Sequence, residues 1–280
     1  LNQANTKRIP LLIEALFLLV LYGWIITVLT YKPGGIWQLS FAAIGIIFGF
    51  IYGYKTRKKD IPNLWITCSA LSGGLWIFTI LRFFKIIVWP LGRPLNLKAY
   101  LFLAICHAVM VLCVIVPLVW ISSKKSIKES FSKGKWKKMP PESLGFYLLT
   151  ITAAGAWVWA ISNVLKTPLP FPRFPLIFFL VALFKAALTG GGEELGYRGF
   201  ILRAAVKRFG VFAGIFFQAV LYTAFHIKLT PAFFSPGVFL LSVFTMGLIL
   251  GYVSHKTGGI GWAFLIHFGI DVVIEWQNIC

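Results

Sequence analysis

This sequence predicts an all-α, polytopic membrane protein, with about eight to nine transmembrane helices and a polar cavity inside the membrane. Three observations predict it. Hydrophobic residues make up 59% of the 280 residues and charged residues 12%, against about 45–50% and about 25% in soluble domains. Apolar runs close to the ~20 residues that span a bilayer recur from one end of the chain to the other. Carboxylates, a guanidinium and imidazoles nevertheless stand inside the later runs. Each ionisable group costs roughly 2.5–3.5 kcal/mol at the centre of an inserted helix, so such a cluster marks a candidate functional site.

The expected spans are 10–30, 36–53, 64–81, 99–121, 143–165, 174–208, 211–229, 237–254 and 258–276. The first follows Lys7 and Arg8 and is long for the core of a cleaved leader, which favours a retained anchor. The third has room to extend to Trp89, and the sixth is long enough to project from the membrane. Residues 1–122 thus form an N-terminal unit of four spans, in which Glu14 and His107 are read as packing or interfacial residues. A basic loop occupies 123–142, running through Lys124, Lys125 and Lys128 to Trp136-Lys137-Lys138 and closing on Pro140-Pro141. The five spans of 143–280 follow. Pro168, Pro170, Pro172 and Pro175 lead into the sixth span, where their missing N–H groups and fixed φ forbid a regular helix.

The formal charge of +19 invites a nucleic-acid partner, but its distribution argues against one. With alternating spans, most of the 27 basic residues collect on one side, in segments at Lys7-Arg8, Lys55 to Lys59, Lys124 to Lys138, Arg203 to Arg208 and Lys256. That asymmetry is the positive-inside signature and puts the N-terminus and the basic loops in the cytosol. The richest loop is suited to anionic lipid headgroups. Cys68, Cys106, Cys113 and Cys280 form no CxxC and have no His at metal spacing, so they suggest neither a disulfide framework nor a zinc site.

Glu193-Glu194-Leu195-Gly196-Tyr197-Arg198 carries the densest charge in the apolar half. On an α-helix Glu194 and Arg198 are i,i+4 neighbours, in the order that favours an ion pair. Glu193 is rotated by roughly 100° from them and left to face something else. Gly190-Gly191-Gly192 before it permits a close backbone approach or a helix break. Phe209-Gly210 reads as a turn, with Glu193 and His226 at nearly equal distances on either side, each about 25 Å from it along a helical hairpin. His267 and Asp271 share a face of the last helix. Gly247 and Gly251 form a GxxxG surface for a close helix neighbour. Three helices therefore converge on one polar pocket. Taken singly, each group has a structural reading, as a helix-end salt bridge or a packing histidine. Together they indicate a site, with proton-coupled transport as the rival function.

In this order, Glu193-Glu194-x-x-x-Arg198, His226, Gly247-x-x-x-Gly251, Thr257-Gly258 and His267-x-x-x-Asp271 resemble the CPBP (ABI) family of intramembrane proteases. That family includes prenyl-protein CAAX endopeptidases of the Ras-converting type and bacteriocin self-immunity proteins, and the resemblance covers roughly 143–276. It implies a hydrolase in which Glu193 is the general base for water, His226 helps hold that water, and His267 with Asp271 stabilises the oxyanion. Glu194, Arg198 and Tyr222 would support the pocket. The implied substrate is a membrane-associated protein or peptide, prenylated CAAX proteins being one class, and no cofactor is required. A zinc-type metal held by the Glu and two His is the minority alternative. A non-enzymatic immunity or scaffold role would keep the same fold. Two departures stand out: Tyr222 where the family often has Phe, and Asp271 where it often has Asn. An ionised carboxylate accepts hydrogen bonds and cannot donate to an oxyanion as an amide does, so Asp271 is expected to orient His267 instead.

Overall fold

The computed structural model describes residues 8–30, 36–56, 63–84, 105, 176–227 and 236–279. The expected spans at 99–121 and 143–165, the basic loop 123–142, His107 and the proline cluster before the sixth span lie outside the described residues. Among those residues the fold is entirely helical. In chain order the elements are α1 (Arg8–Thr30), α2 (Ile36–Thr56), α3 (Leu64–Phe83), α4 (Leu176–Glu193), a π-helix (Glu194–Ile201), α5 (Leu202–Phe209), α6 (Val211–His226), α7 (Pro236–Thr257) and α8 (Gly261–Ile279). Three stretches are long and apolar enough to cross a membrane, Leu11–Leu29, Ile36–Thr56 and Gly237–Thr257, while α3, α6 and α8 carry shorter apolar segments. The protein is an integral membrane protein.

Helical spacing sorts each N-terminal helix into an inner and an outer face. Along α2 the buried positions are Leu39, Ala42, Ile46, Gly49 and Gly53, a three–four alternation that keeps one stripe inward. Leu18, Tyr22, Ile25, Ile26 and Leu29 do the same on α1, while Leu12, Leu16, Val20 and Trp24 point outward. Apolar side chains on such a face suit lipid as solvent. Lipid offers no hydrophobic drive between helices, so close packing and interhelical hydrogen bonds hold them together. Tyr22 shares a hydroxyl–hydroxyl bond with Ser69 on α3. Thr79 Oγ1 donates to Leu29 O at 3.0 Å, and Trp76 Nε1 donates to Leu39 O at 2.8 Å. A Cβ on Gly49 would collide with the Tyr22 and Ser69 hydroxyls, so a larger residue here forces those side chains to shift.

The expected sixth span is present as one helical rod in three parts, and its winding changes at Glu194. The π-helix there buries all eight of its residues, Glu194 and Arg198 included, and hands over to α5 through Leu202 N–H donating to Tyr197 O. The wider π turn is uncommon and tends to occur at functional sites. Gly190 and Gly191 lie within α4 without breaking it. Gly190 faces α8, where a Cβ would meet Phe268 N and His267 Cγ at ordinary contact distances of 3.6 and 3.7 Å. Gly210 turns the chain with φ 90° between α5 and α6, and Gly214 brings the two arms of the hairpin into backbone contact at Val206. α6 packs in turn on α1 and α7. Gly247 of α7 lies against Ala219, and Gly251 lies against Gln218, whose Nε2 donates to Gly247 O at 2.6 Å.

Basic ends from distant parts of the chain meet at one end of the bundle. Arg208 Nε donates to Glu14 Oε2 at 2.9 Å, and Trp65 Nε1 donates to Glu14 Oε1 at 3.1 Å. Arg203 Nη2 donates to Gly258 O at 3.3 Å in the α7–α8 turn. Glu14 therefore joins α1, α3 and α5 at an interfacial position.

Candidate active site

The polar side chains of the second half meet where α4, the π-helix, α6 and α8 come together. Arg198 Nη1 lies 2.9 Å from Glu194 Oε1, and both side chains are fully buried. A charge pair removed from water this completely needs further partners; Glu194 Oε1 has one in His267, while Glu194 Oε2 and the Arg198 nitrogens are buried without a hydrogen bond. His267 Nδ1 stands 2.8 Å from the same Glu194 oxygen. The Arg198 guanidinium lies over the Tyr222 ring, 4.3 Å from its centroid. Tyr197 meets that ring edge-on at 5.2 Å.

Glu193 faces away from this pair, into the space between the two imidazoles. Its Oε2 is 3.9 Å from His226 Nε2 and 3.8 Å from His267 Nε2. That oxygen is buried and makes no hydrogen bond within the protein. The lengths exceed a direct hydrogen bond and belong to the range in which a water can bridge two groups. The equal-depth count around Gly210 thus ends in a geometric meeting of Glu193 and His226.

The two imidazoles have assigned orientations. His226 Nδ1 is 2.9 Å from Tyr222 O, and a carbonyl only accepts, so Nδ1 carries the proton and Nε2 is turned toward Glu193. On His267, the carboxylate of Glu194 takes Nδ1–H, leaving Nε2 toward the cavity. Around that Nε2 stand Glu193 at 3.8 Å, Asp271 Oδ1 at 3.6 Å and the Tyr222 hydroxyl at 3.4 Å.

The geometry departs from the sequence-based expectation in two ways. Asp271, expected to orient His267, stands at ion-pair distance from its Nε2, 3.6 Å away, while Glu194 holds the ring from Nδ1. Glu194 had been read as the partner of Arg198 alone. His267 lies 73 residues away along the chain, so helical periodicity could not reveal that contact. The resemblance gives Tyr222 a supporting place in the pocket and assigns its hydroxyl no contact, whereas that hydroxyl lies 3.4 Å from His267 Nε2. The four-residue step from Tyr222 to His226, which puts both on one helical face, was the available signal. Among the described residues, no three His, Cys, Asp or Glu groups come together as a metal-binding set.

An apolar helical bundle thus encloses a carboxylate between two imidazoles, braced by a fully buried ion pair, an arrangement chemically able to hold and polarise a water. The family comparison makes this more specific: residues 172–273 match the family model described as type II CAAX prenyl endopeptidase, Rce1-like. That segment is therefore similar to the CAAX-protease family that the motifs resemble, and it contains the site residues described above. It is shorter than the 143–276 over which the motifs suggested the likeness. No curated protein and no solved structure matches the chain.

Proposed function

We propose that this protein is an intramembrane endopeptidase in which Glu193 activates a water molecule for attack on a peptide bond. The observation that carries the reading is the unbonded Glu193 Oε2 facing His226 Nε2 and His267 Nε2 at 3.9 and 3.8 Å. A water held there by His226 gives a proton to Glu193 as its oxygen bonds to the scissile carbonyl carbon. The carbonyl oxygen becomes an oxyanion beside His267. Collapse of the tetrahedral intermediate breaks the C–N bond, and the proton on Glu193 passes to the leaving nitrogen. General base catalysis of this kind contributes about 10²–10⁴-fold, and preorganised donors at the oxyanion contribute further.

The match over 172–273 favours a membrane-associated prenylated protein as substrate. Cleavage then releases the three residues that follow the lipidated cysteine. The basic ends at Arg203, Lys207 and Arg208 favour a cytosolic position for the α5–α6 turn. Within this reading Glu194 and Arg198 support the pocket and no metal takes part. Incubation of the purified protein with a prenylated CAAX peptide, with mass spectrometry of the products, tests it. The expected result is release of the tripeptide at an unchanged rate in excess chelator. An intact peptide, or cleavage that chelator abolishes and zinc restores, would overturn it.

A further inference from the structure

Peptide hydrolysis at Glu193 develops a negative oxygen that must be met by donors, and most polar groups at this site can only accept. Glu193, Glu194 and Asp271 are carboxylates, and acceptor-only when ionised. His226 spends Nδ1–H on the Tyr222 carbonyl, and His267 spends Nδ1–H on Glu194. Arg198 lies behind the Tyr222 ring, bound to Glu194. His267 Nε2 donates to the cavity only when the imidazole is protonated.

The Tyr222 hydroxyl stands beside these groups, on the cavity side of the His267 ring. We propose that Tyr222 is a catalytic residue, its phenolic O–H donating to the oxyanion in the position where Asp271 supplies no donor. The inference rests on the endopeptidase reading and deepens it. The hydroxyl lies 3.4 Å from His267 Nε2, on the side of the ring where Glu193 and Asp271 also stand. A contact of that length is weak and is readily redirected to a stronger acceptor. The ring is held by Arg198 over its face, Tyr197 at its edge and the His226 ring 4.5 Å away, so the hydroxyl needs little reorganisation. A phenol stays protonated at neutral pH and donates whichever proton state His267 adopts.

Tyr222→Phe removes the hydroxyl and keeps the ring, and the test is a double-mutant cycle with Asp271→Asn, which offers an amide donor. Cleavage of the prenylated peptide is measured for the four proteins, with thermal unfolding as a check on folding. In the parent background, Tyr222→Phe should lower kcat by about 10²-fold, as loss of one oxyanion donor does, with KM little changed. In the Asp271→Asn background the same substitution should cost only a few-fold. Unchanged kcat for Tyr222→Phe would overturn the proposal, as would an equal or larger loss in both backgrounds. An inactive Asp271→Asn protein would overturn it too, since the amide should serve. A hydroxyl that merely steadied His267 would show no rescue by an amide at 271. Failure of the parent protein to cleave would instead sink the endopeptidase reading, and this proposal with it.

Discussion

Glu194 Oε1 receives Arg198 Nη1 at 2.9 Å and His267 Nδ1 at 2.8 Å, so one oxygen couples a buried charge pair to the orientation of a site imidazole. Glu193, one residue earlier, bonds to nothing in the protein through Oε2. Adjacent glutamates therefore carry separable burdens. Glu194→Ala leaves a guanidinium buried without its counter-ion, and breaking a buried pair typically costs about 3–5 kcal/mol. The expected outcome is a large drop in thermal midpoint in detergent, together with loss of cleavage. Glu193→Gln should leave the midpoint within a few degrees of the parent, because no bond is broken. Had the two substitutions equal effects on unfolding, the division of labour would be wrong.

At the scale of elements, the site depends on how two hairpins close. The α5–α6 hairpin carries His226 to the level of Glu193, and Gly214 sets its spacing: a Cβ there would stand 2.6 Å from Val206 N and 2.8 Å from Val206 Cα. Backbone cannot rotate out of the way, so Gly214→Ala must push α6 off α5. Displacements of about 1 Å can cost 10²-fold in rate, and cleavage should fall by about that factor while the protein still inserts and folds. An active Gly214→Ala protein would contradict this placement. On the N-terminal side Gly49 meets the Tyr22 and Ser69 hydroxyls. Gly49→Ala should lower the thermal midpoint with a smaller effect on kcat, measured on the folded fraction.

These elements also show what could be read in the sequence. The spans, the Gly210 turn and the pairing of Glu194 with Arg198 follow from composition, glycine chemistry and helical spacing, all of which are local. The π-helix does not, because an α-helical and a π-helical reading of Glu194–Ile201 share the same apolar content. The wider turn coincides with the burial of the Glu194–Arg198 pair, which local sequence does not report. The Glu194–His267 bond and the position of the Tyr222 hydroxyl escape for a related reason, since they depend on the rotation of α8 and α6 about their own axes.

At the scale of the whole molecule, Glu14, Trp65, Arg203, Arg208 and Gly258 gather the ends of five helices at one pole. The free carboxylate stands a helix length, about 24 Å, from the Gly210 turn at that pole. The basic pole should face the cytosol. A membrane-impermeant thiol reagent should label Lys207→Cys from the cytosolic side of sealed vesicles, and labelling from the opposite side would reverse the orientation. The proposed hydrolysis depends on a single carboxylate, Glu193, between two imidazoles. Its most direct test is single-turnover cleavage of a quenched prenylated CAAX peptide by the purified parent protein and by Glu193→Gln. The account predicts cleavage by the parent and a loss of at least about 10²-fold in the variant. Equal rates from the two proteins would contradict it.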